Sequence, residues 1–142
     1  MAVALKEISE RIVNSVRPST APVAVRVAYE GEVIPQKAKV PSKDLGHPMA
    51  VCQAITLART IGWSFAMDKN DHGCPVPSVL LGLVPPEPFL EGELSFYYQE
   101  DRQIGRLMES TYPRRPRGSA GEVWISPLDR CEFEPEVIVV YG

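Results

Sequence analysis

The sequence predicts an α/β fold: a central mixed sheet with helices packed on it, in one domain spanning residues 1–142. Three observations predict it. Leu5, Ile8, Ile12 and Val16 recur at the three- and four-residue spacing of a helix. Val23, Val25, Val27 and Tyr29 alternate with Ala24, Arg26 and Ala28 at the two-residue period of a strand. The chain is 142 residues long, 44% hydrophobic and 23% charged, enough to bury one core without a disulfide or a structural metal. The order of the strands is not written in any local pattern.

The elements follow in turn. The spacing predicts a helix over 3–17, stopped by Pro18-Ser19-Thr20-Ala21-Pro22. The alternating run over 23–29 is a strand, and Gly31 turns the chain. Residues 35–47 form a polar loop with a short strand near Ala38–Val40. A second helix is predicted over 48–61, with Pro48 at the first helical position, where its missing N–H has no partner to lose. Its Ala50, Ala54, Leu57, Ala58 and Ile61 make a small-residue face suited to close packing on a sheet, and Gly62 ends it. Residues 63–67 form a short apolar strand, and Asp68-Lys69-Asn70-Asp71-His72-Gly73 a turn. A short helix covers 75–83.

Pro85, Pro86 and Pro88 link to a helix over 91–112, with a stripe of Leu94, Tyr97, Tyr98, Ile104, Leu107 and Met108 weakened by Gly105. A basic loop over 113–121 precedes strands over 122–126 and 136–141. Val137-Ile138-Val139-Val140 is a continuous apolar run, the mark of an interior strand buried on both faces. Trp63, Phe65, Phe96, Tyr97 and Tyr98 read as core aromatics.

Charge and composition exclude several classes. A net charge of −3 lacks the basic face of a general nucleic-acid binder. The first helix is broken by Lys6, Glu7, Glu10 and Arg11, so it is amphipathic and no signal-peptide core. No apolar run approaches the roughly 18 residues of a membrane span. Three cysteines, an odd count, do not suit a secreted disulfide framework. The expectation is a cytoplasmic protein with reduced thiols.

One constellation stands out: Cys52-Gln53-Ala54-Ile55-Thr56-Leu57-Ala58-Arg59, then Asp71-His72-Gly73-Cys74-Pro75, then Leu81-Gly82-Leu83. In that order it resembles domain-of-unknown-function family 169, the uncharacterised archaeal conserved region family. The closing Glu136–Gly142 segment is similar to the family's central strand. The resemblance spans nearly the whole chain and about half of a typical member. It implies a prokaryotic protein in which Cys52 and Cys74 matter, and a chain that is the N-terminal part of a longer unit. It carries over no catalytic role.

The chemistry candidates start from those cysteines. Both fall at predicted helix starts, where unsatisfied N–H groups favour thiolate, the form that binds soft metals or attacks an electrophile. An iron–sulfur cluster or a zinc ion fits the donor type. Cys131 is either a third ligand or a buried small hydrophobe. Twenty-one residues separate Cys52 from Cys74, with no Cys-x-x-Cys, so burial as small hydrophobes is the competing reading for this pair too. His47 and His72 would complete a tetrahedral His47/Cys52/His72/Cys74 zinc site. Alternatively His72, oriented by Asp68 or Asp71, is a base for Cys74 or Cys52, or is a plain turn residue.

Arg114, Arg115 and Arg117, leading into Gly118-Ser119-Ala120-Gly121, suit an anion clamp or a solvated loop. Three functions follow: a thiolate cluster or metal site, a small-anion-binding enzyme or sensor, and a non-catalytic interaction domain. The last pairs through its sheet with a second chain or in a homo-oligomer. The sequence names no reaction.

Overall fold

The computed structural model describes residues 2–87, 101–116 and 118–142. The N-terminal helical spacing forms α1 (Ala2–Val16), and the alternating valines form β1 (Val23–Ala28). β2 (Ala38–Lys39) is two residues long and leads into a π-helical turn, Pro41–Leu45. Then come α2 (Val51–Ile61), β3 (Ser64–Met67) and α3 (Pro75–Leu80). α4 (Arg102–Thr111), β4 (Glu122–Pro127), a 3-10 turn at Leu128–Arg130 and β5 (Val137–Val139) follow.

The strands form one sheet in the order β2-β3-β4-β1-β5. β2 lies parallel to β3, and the other pairs are antiparallel, so the sheet is mixed as the sequence predicts. Alternation sends Val23, Phe65, Met67, Val123 and Ile125 into a core under α2, whose Ala54 and Ala58 are fully buried. Ala24, Ala28, Ala66 and Trp124 enter the other core, with Leu5 of α1 and with Leu128, Cys131 and Phe133. The expected small-residue face of α2 is therefore half right: the alanines face the sheet, and Ile61 is 53% exposed.

α2 begins at Val51, three residues after Pro48, because the backbone of Met49 is engaged elsewhere: its N–H donates to the Asp71 carbonyl and its carbonyl accepts from Gly73. Gly62 ends the helix in the left-handed conformation, φ 79°, with its N–H on the Leu57 and Ala58 carbonyls.

Four expectations are corrected. β5 is an edge strand, paired only with β1, and Val137 and Ile138 are exposed, so the apolar run is not an interior strand in the described structure. On α1 the inward face carries Leu5 and Ile12, half of the predicted stripe, together with Ser9, while Ile8 and Val16 point outward. On α4 the inward residues are Gly105 and Glu109, and Ile104, Leu107 and Met108 are exposed. Trp63 is exposed rather than a core aromatic. The predicted helical stretch over 91–100, with Leu94, Phe96, Tyr97 and Tyr98, lies outside the described residues, as does Arg117. Among the described residues no helix is long and apolar enough to cross a membrane.

Candidate functional site

The turn after β3 is built by two aspartates. Asp68 caps the turn by accepting from the Asn70 backbone at 2.7 Å, and its own N–H donates to the Asp71 carboxylate at 3.0 Å. Asp71 is buried, and its other oxygen accepts from the Ser42 N–H at 2.9 Å and the Ser42 hydroxyl at 2.6 Å. One carboxylate thus ties the π-helical turn to the end of β3. A short parallel bridge between Met49 and His72 follows, closed by Met49 N–H to Asp71 O at 2.8 Å and Gly73 N–H to Met49 O at 3.0 Å. The bridge brings the two segments close: a Cβ at Gly73 would sit 3.4 Å from the Met49 backbone, an ordinary contact distance.

That bridge sets the starts of α2 and α3 side by side at the C-terminal end of β3. Cys52 is the second residue of α2 and exposed; Cys74 caps α3 and is half-buried. Neither is in a disulfide. The buried-hydrophobe reading therefore fails for Cys52. It holds for Cys131, which is 1% exposed and donates its S–H to the Phe133 carbonyl at 3.0 Å. Burial pushes the Cys131 thiol pKa up, against the Phe133 hydrogen bond and with the nearby Glu132 carboxylate. Cys131 also belongs to the core on the sheet face away from α2, so it is no third ligand beside Cys52.

The histidines do not complete a metal site. His47 is exposed, with Nδ1 3.1 Å from the Pro48 carbonyl oxygen. His72 is tucked inward, and neither ring nitrogen makes a hydrogen bond. Burial pushes its pKa down; the Asp71 charge, the nearby Met67 main chain and the Asp68 charge oppose this. Among the described residues no group of three or more His, Cys, Asp or Glu side chains converges to hold a metal ion. His72 also hydrogen-bonds neither thiol, so no base–nucleophile pair is formed.

The arginine loop docks on the Leu81-Gly82-Leu83 segment. Arg115 N–H donates to Leu80 O at 2.9 Å and Gly118 N–H to Gly82 O at 3.0 Å. Gly82 has φ 80°, and a Cβ there would lie 2.5 Å from the Pro116 oxygen, so glycine alone fits. The arginines diverge. Arg114 donates to the Glu109 carbonyl, and Arg115 pairs with Glu136 at 3.3 Å and reaches the Tyr29 hydroxyl. The cavity beside this loop, about 380 Å³, is lined by Glu30, Glu32, Asp68 and Glu122 against Lys69, an acidic surround that disfavours an anion.

Sequence reasoning missed a second cavity, at the opposite end of β3, where Lys37, Lys39, Trp63 and Arg130 come together. The one local signal for it was the pair of lysines at 37 and 39, one just before and one within the short strand β2.

Compared with known proteins, the chain matches domain-of-unknown-function family 169, described as uncharacterised ArCR, over residues 11–142. No curated protein and no solved structure matches it.

Proposed function

The chain belongs to domain-of-unknown-function family 169, and from that premise we propose that Cys52 and Cys74 form a two-thiol half-site for a soft metal ion or an iron–sulfur cluster. Membership supplies no activity, so the reading rests on geometry. The observation that carries it is the Met49–His72 bridge, which fixes the two cysteine-bearing helix starts beside each other. The thiols there lie outside the core, while the third cysteine is inside it.

Thiolates select soft metals, and zinc or a cluster iron takes about four ligands. The described residues offer no third converging donor. The remaining ligands therefore come from a second copy of the chain, two thiols from each. The expected stoichiometry is about one zinc ion for every two chains, as four thiolates per ion require.

Anaerobic purification, elemental analysis for iron and zinc, and light scattering test this together. Cys52→Ser and Cys74→Ser should each lose the metal and the dimer, and Cys131→Ser should keep both. A metal-free wild type, or metal retained in both surface variants, overturns the proposal.

A second reading is favoured by one observation: among the described residues β5 pairs on one side only and exposes Val137, Ile138, Val140 and Tyr141. An interaction domain would add a partner strand there. A dimer that survives chelation and both cysteine variants, but is lost with Val137→Lys, selects this reading.

A further inference from the structure

The cavity at the N-terminal end of β3 collects cations in a chain whose net charge is −3. Lys37 and Lys39 come from β2 and the residues before it, Trp63 and Ser64 from the start of β3, and Arg130 from the turn after β4. One carboxylate, Glu132, shares the lining, and its ion pair with Lys37 is long, 3.8 Å, with the lysine 78% exposed. Lys39 has no carboxylate partner among the described residues. Its ammonium rests 4.9 Å from the centre of the Trp63 ring, which holds the charge in place without neutralising it. Arg130 reaches its neighbour Asp129 only through Nε, at 3.4 Å, and its Nη1 lies 3.5 Å from the Gly62 carbonyl. Two cations are thus poised with donor capacity to spare.

The cavity also has an apolar and a hydroxyl component. Trp63 is set edge-on against Phe65, ring centres 6.4 Å apart, and Phe133 packs against Trp124 at 5.7 Å with the ring planes tilted by 56°, so both lining rings are held by packing. Ser64 and Ser126 hydroxyls are 2.9 Å apart, and Ser126 also donates to the Pro127 carbonyl or to Ser64. The volume is about 140 Å³, close to the roughly 150 Å³ cavity that holds a benzene ring. The cavity opens to solvent on one side, so it has room for one ring with its polar end facing outward.

We propose that this cavity binds a small planar organic carboxylate, with its ring beside Trp63 and Phe133 and its carboxylate between Lys39 and Arg130. The carboxylate matches the fork of an arginine and the point charge of a lysine. The site is separate from the cysteines, which sit at the other end of β3. It stands whether or not these bind a metal.

The probe is benzoate, titrated against the full chain by calorimetry and by Trp63 fluorescence in a Trp124→Phe background. Saturable binding is expected, with benzamide, the same shape without the charge, at least about tenfold weaker, the scale of one lost charge-assisted hydrogen bond. Lys39→Met and Arg130→Gln should each weaken benzoate by a similar factor. Lys69→Met, in the acidic cavity, should leave it unchanged. Because both substituted cations reach solvent, their melting temperatures should stay near wild type, and circular dichroism checks that. No saturation up to about 10 mM, equal binding of benzamide, or no effect of either cation variant in a folded protein each overturns the proposal. Inorganic phosphate displacing benzoate at equal concentration overturns its planar component.

Discussion

β3 is four residues long, and its two ends are built in different ways. At its C-terminal end the two aspartates of the Asp68–Gly73 turn and its backbone bridge to Met49 are spent on structure, while the His72 ring makes no hydrogen bond. Asp71 serves Ser42 and Asp68, and Met49 serves Asp71 and Gly73. What remains unspent there is two thiols, the His72 ring and an acidic cavity. At its N-terminal end Gly62, Trp63 and Ser64 meet side chains from two distant segments, and the charges there, Lys39 and Arg130, are only loosely engaged. The first end is dense in hydrogen bonds and in recognisable sequence; the second is dense in neither, yet holds the cavity where cations meet aromatic rings. The difference teaches that a motif marks where the backbone is most constrained, which need not be where a small ligand fits.

The largest expected effect breaks the first end alone. Asp71→Ala removes an acceptor from three donors, the Ser42 N–H, the Ser42 hydroxyl and the Asp68 N–H. These donors are only partly buried, so each lost partner costs less than the roughly 1–3 kcal/mol of a fully buried one, and the losses are not additive. A loss of about 2–3 kcal/mol is expected in chemical denaturation. Asp71→Asn keeps one oxygen as acceptor and should cost about 1 kcal/mol. In the folded fraction benzoate binding at the other end should be unchanged. If Asp71→Ala costs less than Asp71→Asn, the carboxylate is not the tie between the turn and β3.

These two ends also show what was legible in the sequence. Turn chemistry is local, so Asp68 to Gly73, the proline-led α3 and the glycine stop of α2 could be read from a few neighbouring residues. The valines of β1 announced their own face. The start of α2 was misread because Met49 is held by Asp71 and Gly73, more than twenty positions away. Val137 to Val140 misled for a related reason: an apolar run records preference for a dry neighbour and does not say whether this chain supplies one. On α4 the pattern was inverted, with Gly105 and Glu109 inside and Leu107 outside. The cysteines were located correctly at helix starts, yet the four-ligand site did not assemble. Where His47 and His72 point depends on Pro48 and on packing around Met67, which spacing does not encode. The cation cavity draws on residues near 38, 63 and 130, and no window of sequence holds all three.

A middle-sized effect sharpens the comparison from the second end. Gly62 is left-handed, and a Cβ on it would come 3.0 Å from Arg130 Nη1. Gly62→Ala should therefore cost about 1–2 kcal/mol for the strained backbone. That corresponds to a fall of roughly 2–8 °C in melting temperature for a chain of this size. It should also push the Arg130 guanidinium off its seat and weaken benzoate, while the reactivity of Cys52 and Cys74 toward iodoacetamide stays as in wild type. Weakened benzoate with no thermal change would show that Arg130 moves freely and that Gly62 is not strained.

The smallest effect returns to the first end and turns on pH. Burial holds the His72 pKa below its ordinary value near 6.5, so the ring is neutral in the folded chain where the unfolded chain is already protonated. Between the folded and unfolded pKa values the unfolded state holds more protons, so this contribution to stability is complete above about 6.5 and is lost as pH falls below it. Denaturation midpoints measured at steps of pH from 7.5 downward should decline through that window. His72→Gln should flatten the decline, and His47→Gln, on the surface, should not. Asp71 and Asp68 act in the opposite sense, since their charges favour the protonated ring. Asp68→Asn should therefore steepen the decline. A wild-type profile unchanged by His72→Gln would mean that water reaches the ring. The junction that holds the two cysteine-bearing helix starts together would then be looser than its backbone bonds to Met49 imply.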